Sequence, residues 1–238
     1  MPKKNLLDFF LQTQEKITQI KEKKTPLLEI RHQAQKKSDN NLNQSLKTTL
    51  KKDSTAYIYE DIQDEEYKKI FTKTKVPKSI DPASLAFIFP SLTSTKNCLE
   101  SKNRDESSFF IKHGFFTQEY EIFEAKKEGF DAITLYVKTL DHYKIQYLTE
   151  IGRDYKTSII FTITDKDDLE KVMKTDCPYL LIFGLNKKTF TQNTHEIFDL
   201  MTQIPSNFLT GIYNPSLKAP MGEELEKLGA KYFVIHKS

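Results

Sequence analysis

The feature of this sequence that most restricts its fold is a regular alternation of apolar runs and amphipathic segments from residue 109 onward. Strand-like apolar runs are predicted at residues 131–137, 158–163, 179–183, 207–212 and 231–235. Helix-like segments precede them at residues 118–128, 141–154, 165–174, 193–202 and 221–228. The later runs are continuously apolar, which is typical of parallel strands covered on both faces. The sequence therefore predicts a parallel sheet packed against helices.

Three more strand-like pieces lie upstream, at residues 56–60, 85–89 and 109–112, and bring the total to roughly eight. Strict alternation with this count favours a (β/α)8 TIM barrel over a doubly wound sheet. Because the sequence stops directly after the eighth predicted strand, we expect the usual closing helix to be missing.

The first 50 residues have a different character. An amphipathic helix is predicted at residues 5–23, and the Thr25-Pro26 step ends it because a residue before proline disfavours the α region. A second helix is predicted at about 26–37, followed by a polar stretch with a short helix around 42–50. We therefore divide the chain into an N-terminal helical extension, 1–50, and a barrel, 51–238.

Glycine usage excludes two common nucleotide-binding sites. The chain has seven glycines, and the first is Gly114. Neither G-x-G-x-x-G nor G-x-x-x-x-G-K-[ST] occurs, so the glycine-rich turns that let backbone N–H groups approach phosphate in Rossmann and P-loop folds are missing.

Charge and length do not indicate a nucleic acid or membrane partner. The net charge is +3, with +6 in residues 1–55 and −3 in the remainder. The N-terminal lysines are interspersed with Glu15, Glu22 and Glu29, which is typical of a solvated helix face. The sequence has no apolar run of membrane-spanning length and no signal-peptide pattern.

Isolated residues indicate neither a metal site nor a disulfide framework. Cys98 and Cys177 have no zinc-ligand spacing, so we expect a reduced, cytoplasmic protein. The remaining candidates are isolated histidines, for which we expect no metal role: His32, His142 and His195. Asp165, with Asp168 three residues later, is expected to cap the helix that follows.

Several segments of the second half resemble, in order, the motifs of one enzyme family. GFFTQEYEIFEAKKEGFDAITLYV, residues 114–137, resembles D-F-I-x-D-x-Y-Q-I-x-E-A-x-x-x-G-A-D-A-I-L-L-I. The later segments TITDKDDLEKV (162–172), NKKTF (186–190), LTGIY (209–213) and LGAKYFVIHKS (228–238) resemble E-V-H-D-x-x-E-L-x-x-A, N-L-K-T-F, E-S-G-I-Y and G-A-x-A-x-L-V-G-x-S. The family is indole-3-glycerol-phosphate synthase.

This resemblance implies a (β/α)8 barrel with extra N-terminal helices and a place in tryptophan biosynthesis. The family converts 1-(2-carboxyphenylamino)-1-deoxyribulose 5-phosphate into indole-3-glycerol phosphate, losing CO₂ and water, without a metal or organic cofactor. An active member would take a phosphorylated small-molecule substrate, whereas a degenerate barrel would act as a partner of another protein of the tryptophan pathway.

The resemblance also implies catalytic positions. The family's lysine general acid, at the end of strand three, aligns without gaps with His113, and a one-residue bulge would bring Lys112 there instead. The family's strand-one glutamate and lysine fall near Glu60, and its S-P-S-K-G motif does not occur. A carboxylate in place of that lysine reverses the charge beside an anionic substrate.

Two further positions depart from the family pattern. Thr162 stands where strand five of the family has a glutamate, and a hydroxyl cannot act as a general base at neutral pH. Phe183 stands where strand six has an asparagine. These replacements favour weakened or lost catalysis over retention.

The phosphate site implied by the resemblance is partly retained. Thr210 and Gly211 replace a Ser-Gly pair after strand seven and offer a hydroxyl and a backbone N–H. After strand eight, Lys237 offers a point charge and Ser238 a hydroxyl.

Three functions stay open on the sequence. The first is a working synthase whose acid is Lys112 or His113. The second is a degenerate barrel that serves as a binding or scaffold protein. The third is a barrel that binds another phosphorylated metabolite through Thr210, Gly211 and Lys237.

Overall fold

The computed structural model describes residues 6–40, 111–184, 186, 193–213 and 219–234. Within these ranges lies one sheet of six parallel strands, in which each strand pairs with the next in chain order. The strands are β1 (Ile111–Phe116), β2 (Ala132–Tyr136), β3 (Ser158–Ile163), β4 (Tyr179–Phe183), β5 (Leu209–Tyr213) and β6 (Tyr232–Val234). The predicted parallel α/β architecture is confirmed for this part of the chain.

A helix separates each strand from the next. The helices are α1 (Leu6–Lys24), α2 (Leu27–Asn40), α3 (Glu119–Glu128), α4 (His142–Asp154), α5 (Lys166–Val172), α6 (Thr194–Met201) and α7 (Ala219–Lys227), with a 3₁₀ turn at Val137–Thr139. Two of the helices begin at aspartate caps, and the one at Asp165 was predicted. The Asp141 side chain accepts a hydrogen bond from the Lys144 N–H, and that of Asp165 accepts one from the Asp168 N–H.

The sheet curls into half of a barrel. His113 in β1 stacks on Tyr213 in β5, with ring centroids 4.7 Å apart, although four strand-to-strand steps separate the two strands. In a flat sheet, four steps of about 4.8 Å would hold these strands roughly 19 Å apart. The concave side that brings the rings together is called the inner side, and the helix-facing side is called the outer side.

The hydrophobic core lies between the outer side and the helices. Because successive residues of a strand point to opposite sides, every second residue of the strands enters this core. Examples are Leu135 in β2 and Phe161 in β3, which pack in one cluster with Phe123 of α3 and Leu148 of α4. All four are buried.

The N-terminal helices pack on this core from outside the sheet. Ile30 and Ala34 of α2 belong to the same buried cluster, and Arg31 donates a hydrogen bond of 2.9 Å to the Tyr155 hydroxyl. The predicted break at Pro26 is confirmed, since α1 ends at Lys24 and α2 begins at Leu27. The helix predicted around 42–50 lies outside the described residues.

Most predicted boundaries are within two residues of the observed ones, and β1 is the main exception. The prediction of a strand at 109–112 was wrong at its end, because β1 continues to Phe116. Gly114 interrupts the apolar pattern in the sequence but lies inside the strand, where the Phe116 ring approaches to 2.6 Å from the place a Cβ atom would take. The strands predicted at 56–60 and 85–89 lie outside the described residues.

No helix in the described part of the chain is long and apolar enough to cross a membrane.

Candidate functional site

Lys112 lies on the outer side of β1. Its Nζ donates hydrogen bonds of 2.7 Å to Glu124 Oε2 and 2.6 Å to Glu128 Oε2, both on α3. The lysine side chain is 6% exposed. Burial alone would lower the pKa of Lys112, but the two carboxylates outweigh that effect and raise it. The amine is therefore a permanent cation between β1 and α3.

The Lys112 ion pairs belong to a larger network that also holds α1. Lys21 of α1 lies 2.9 Å from Glu124, so this carboxylate is shared by two lysines. Although burial opposes ionisation, Lys112 and Lys21 lower the pKa of Glu124 to about 2. The network ties α1 and α3 to the first described strand.

A neighbouring buried carboxylate completes the contact between α1 and α3. Glu121 Oε1 accepts hydrogen bonds from Gln14 and Thr18 of α1, at 3.0 and 2.7 Å. Its other oxygen accepts from the backbone N–H groups of Thr117 and Gln118, which caps the start of α3. Burial raises the pKa of Glu121, while these hydrogen bonds oppose the shift.

His113 lies on the inner side. Its Nδ1 is 3.1 Å from Thr134 Oγ1 of β2, and its ring stacks on Tyr213. The side chain is buried, and burial lowers the pKa of His113 to about 4. The imidazole is therefore neutral at pH 7.

An irregularity in β1 separates these two neighbours. Lys112 pairs with Ile133, and Phe116 pairs with Leu135, so β1 uses two more residues than β2 over this stretch. Thr134 fills the irregularity: its hydroxyl accepts from the Gly114 N–H at 3.0 Å and lies 3.3 Å from the Gly114 carbonyl oxygen. The irregularity adds two residues and not the one of the expected bulge, and Lys112 lies on the outer side.

Aromatic rings fill the inner side at the level of His113. We call Phe115, Tyr136, Phe183 and Tyr213, together with His113, the inner aromatic cluster. Phe183 stacks on Tyr213 at 5.4 Å, and Phe115 makes edge contacts with Tyr136 at 5.2 Å and Phe183 at 5.9 Å. The cluster, with Gly114 and Thr162, encloses a cavity of about 10 Å³, which is room for one water molecule.

The inner side holds a hydroxyl and a ring where the family has a glutamate and an asparagine. Thr162 is 1% exposed, and its Oγ1 has no hydrogen-bond partner among the described residues. Phe183 belongs to the inner aromatic cluster. Neither side chain can take up or release a proton at neutral pH.

Thr210 and Gly211 lie within β5, before its carboxyl end at Tyr213. A Cβ atom on Gly211 would lie 2.1 Å from the Tyr232 ring, whose hydroxyl donates to the Leu180 carbonyl oxygen at 2.6 Å. Strand alternation places Thr210 on the outer side, where it is 1% exposed. This pair therefore does not form a loop at the carboxyl edge, where barrel ligands bind.

The other predicted site residues cannot be placed. Glu60, Lys237 and Ser238 lie outside the described residues. Within the described ranges, no group of three His, Cys, Asp or Glu side chains could hold a metal ion. Cys177 is buried, and burial raises its pKa to about 12, which leaves it an unreactive thiol.

Sequence reasoning missed a charged group at the carboxyl edge of the sheet. Lys138, just after β2, has its Nζ 2.7 Å from Asp165 Oδ2 and 3.9 Å from the buried Asp168. Asp168 also accepts hydrogen bonds from the Thr164 N–H and hydroxyl. The aspartates were predicted as a helix cap, but no local signal indicates that a lysine 27 residues earlier meets them.

Comparison with known proteins supports the family resemblance. The chain is 30% identical over 129 residues to an indole-3-glycerol phosphate synthase of Campylobacter fetus, covering 52% of this chain and 48% of that protein. It is 26% identical over 99 residues to an indole-3-glycerol phosphate synthase of Leptothrix cholodnii, covering 42% of this chain and 38% of that protein. The sequence matches no protein-family model.

The chain thus spans about half or less of the length of these curated relatives. The resemblance to the indole-3-glycerol phosphate synthases is confirmed, at 26–30% identity over these parts of the chain.

Proposed function

We propose that this chain is an indole-3-glycerol-phosphate-synthase-like protein of tryptophan biosynthesis in which the family's ring closure and decarboxylation are weakened or lost. The observation that carries this proposal is the buried, neutral His113 at the position where the family resemblance calls for a lysine general acid. The relatives' names support the family-level part of the proposal.

The protonation state of His113 argues against an acid role. A general acid has to carry its proton at the working pH. With a pKa of about 4, roughly one His113 in a thousand is an imidazolium at pH 7. The lysine that it replaces would be protonated at that pH, so the replacement removes the proton donor at this position.

Lys112 is protonated but lies on the wrong side of the strand for this role. Glu124 and Glu128 hold its amine between β1 and α3, away from His113 and the inner aromatic cluster. Turning Lys112 inward would remove the cation from Glu128 and leave Glu124 with Lys21 alone in a largely buried site, which is unfavourable.

The space on the inner side also argues against the family reaction. Ligand sites usually have volumes of about 300 Å³ or more, whereas the cavity among the described inner residues measures about 10 Å³. A phosphorylated sugar derivative carrying an aromatic ring does not fit there beside the rings of Phe115, Phe183 and Tyr213. The inner aromatic cluster therefore fills the described part of the inner side.

The proposal is tested by assaying indole-3-glycerol phosphate formation by the purified, folded chain at pH 7, with a genuine synthase alongside. We expect turnover at or near the background rate, with no change in His113→Ala or Lys112→Met. Lys166→Met serves as the control, because Lys166 lies in an exposed ion pair with Asp199 outside the inner aromatic cluster. Turnover comparable to the genuine synthase that is lost in His113→Ala and kept in Lys166→Met would overturn the proposal.

The two other functions predicted from the sequence make separate predictions. A binder of another phosphorylated metabolite would be stabilised against heat by inorganic phosphate, and Thr210→Val would remove the effect. A scaffold of the tryptophan pathway would retain a pathway protein on an affinity column and show no such ligand effect.

A further inference from the structure

Polar side chains from four strands meet at the cavity on the inner side. His113 of β1, Tyr136 of β2, Thr162 of β3 and Tyr213 of β5 line it, together with the rings of Phe115 and Phe183. All of these side chains are buried. The cavity is therefore enclosed by aromatic rings but carries hydrogen-bonding groups on several of its walls.

Thr162 makes this cavity different from an ordinary packing defect. Its hydroxyl is buried and has no hydrogen-bond partner among the described residues. A buried hydroxyl without a partner costs free energy that a bound water recovers. Empty cavities in proteins are lined by apolar groups, whereas cavities with convergent polar groups hold water.

The volume of the cavity determines which ligand it can hold. About 10 Å³ accommodates one water molecule and no larger organic molecule. No carboxylate of the described residues lines the cavity, so these residues offer no charge to compensate a desolvated metal ion.

We propose that this cavity is a binding site for a single internal water molecule, which hydrogen-bonds to Thr162 Oγ1 and bridges β3 to the neighbouring strands. Because His113 uses Nδ1 toward Thr134, Nε2 is the ring nitrogen left to meet this water. Bound there, the water links β3 to β1 through Thr162 and His113. This inference rests on the geometry of the cavity and is independent of the proposed loss of catalysis.

The chain contains a matched control for the experiment. Thr210 is as buried as Thr162, and its hydroxyl also has no hydrogen-bond partner in the described ranges, but it does not line this cavity. Replacing an unpartnered buried hydroxyl by a methyl group of nearly the same shape is neutral or stabilising. Removing a hydroxyl that binds an internal water also removes one of the water's partners.

The test compares Thr162→Val with Thr210→Val by thermal unfolding. We expect Thr210→Val to leave Tm unchanged or raise it, and Thr162→Val to lower Tm by about 2–4 °C. If Thr162→Val unfolds the chain, Thr162→Ser is the variant to measure. It keeps the hydroxyl, so we expect its Tm to lie within about 2 °C of the wild-type value.

Nuclear magnetic resonance detects the water directly in the unmodified chain. We expect cross-peaks of one long-lived water with the backbone amide protons of Thr162 and Tyr136. Their absence, or a Thr162→Val variant stabilised as much as Thr210→Val, would overturn the proposal. A Tm that rises with potassium or ammonium concentration in the wild type but not in Thr162→Val would also overturn it, because the occupant would then be a cation.

Discussion

Replacing Lys112 by methionine tests whether this residue stabilises the fold or serves a reaction. The amine contacts two carboxylates, at 2.7 and 2.6 Å, and the three side chains are 6%, 10% and 23% exposed. Methionine keeps much of the aliphatic volume and leaves Glu124 and Glu128 without this cation. Removing one partner of a buried ion pair costs about 3–5 kcal/mol, which lowers Tm by about 10 °C for a chain of this size.

The control is Lys166→Met. Lys166 lies 3.4 Å from Asp199, and these side chains are 57% and 44% exposed. Exposed pairs of this kind contribute about 0–1 kcal/mol, so we expect a change in Tm of no more than about 3 °C. Unfolding followed by circular dichroism measures both variants. A Lys112→Met variant as stable as Lys166→Met would refute the structural role assigned to this lysine.

Two further predictions concern Glu124 and Gly211. The pKa of Glu124 is about 2 in the folded chain and 4.5 in the reference state. Its ionisation therefore stabilises the fold above pH 4.5, and this stability is lost as the pH falls toward 2. In acid titrations, the difference in stability between wild type and Glu124→Gln should shrink over that range, and a constant difference would contradict the assignment. Gly211→Ala places a Cβ atom 2.1 Å from the Tyr232 ring, so we expect a loss of about 1–3 kcal/mol in denaturant unfolding. The same substitution made in a Tyr232→Leu background should cost less than in the wild type, and an equal cost in both backgrounds would contradict the clash.

The alternation of helices and strands was predictable because it depends on local patterns. The apolar runs at 158–163 and 179–183 coincide with β3 and β4. Asp165 was predicted as a cap because an aspartate before a helix accepts from the first-turn N–H groups, and its contact with the Asp168 N–H confirms this. These features need only residues close in sequence.

The positions of Lys112 and His113 were not predictable in the same way. The alternation of a strand places neighbours on opposite sides, but which of the two faces inward depends on the pairing with β2, in which Lys112 lies opposite the core residue Ile133. The carboxylates that hold Lys112 lie 12 and 16 residues further along, on α3. A motif alignment assigns a residue to a position in the chain, but it does not show on which side of the strand that residue's side chain lies.

The electrostatic state of His113 depends on still more distant residues. Its pKa falls because the curled sheet buries the ring, and the ring on which it stacks, Tyr213, lies 100 residues later in β5. No local pattern in the sequence indicates that these aromatic rings meet on the inner side. The assignment of residues 51–238 to one barrel stays a prediction.

The protonation state of His113 tests the central claim most directly. A nuclear magnetic resonance titration of its imidazole, assigned by comparison with His113→Ala, gives the pKa in the folded chain. We predict a value of about 4, which leaves the ring neutral at pH 7. A value at or above the ordinary 6.5 would supply a protonated acid at this position and would contradict the proposed loss of the family's catalysis.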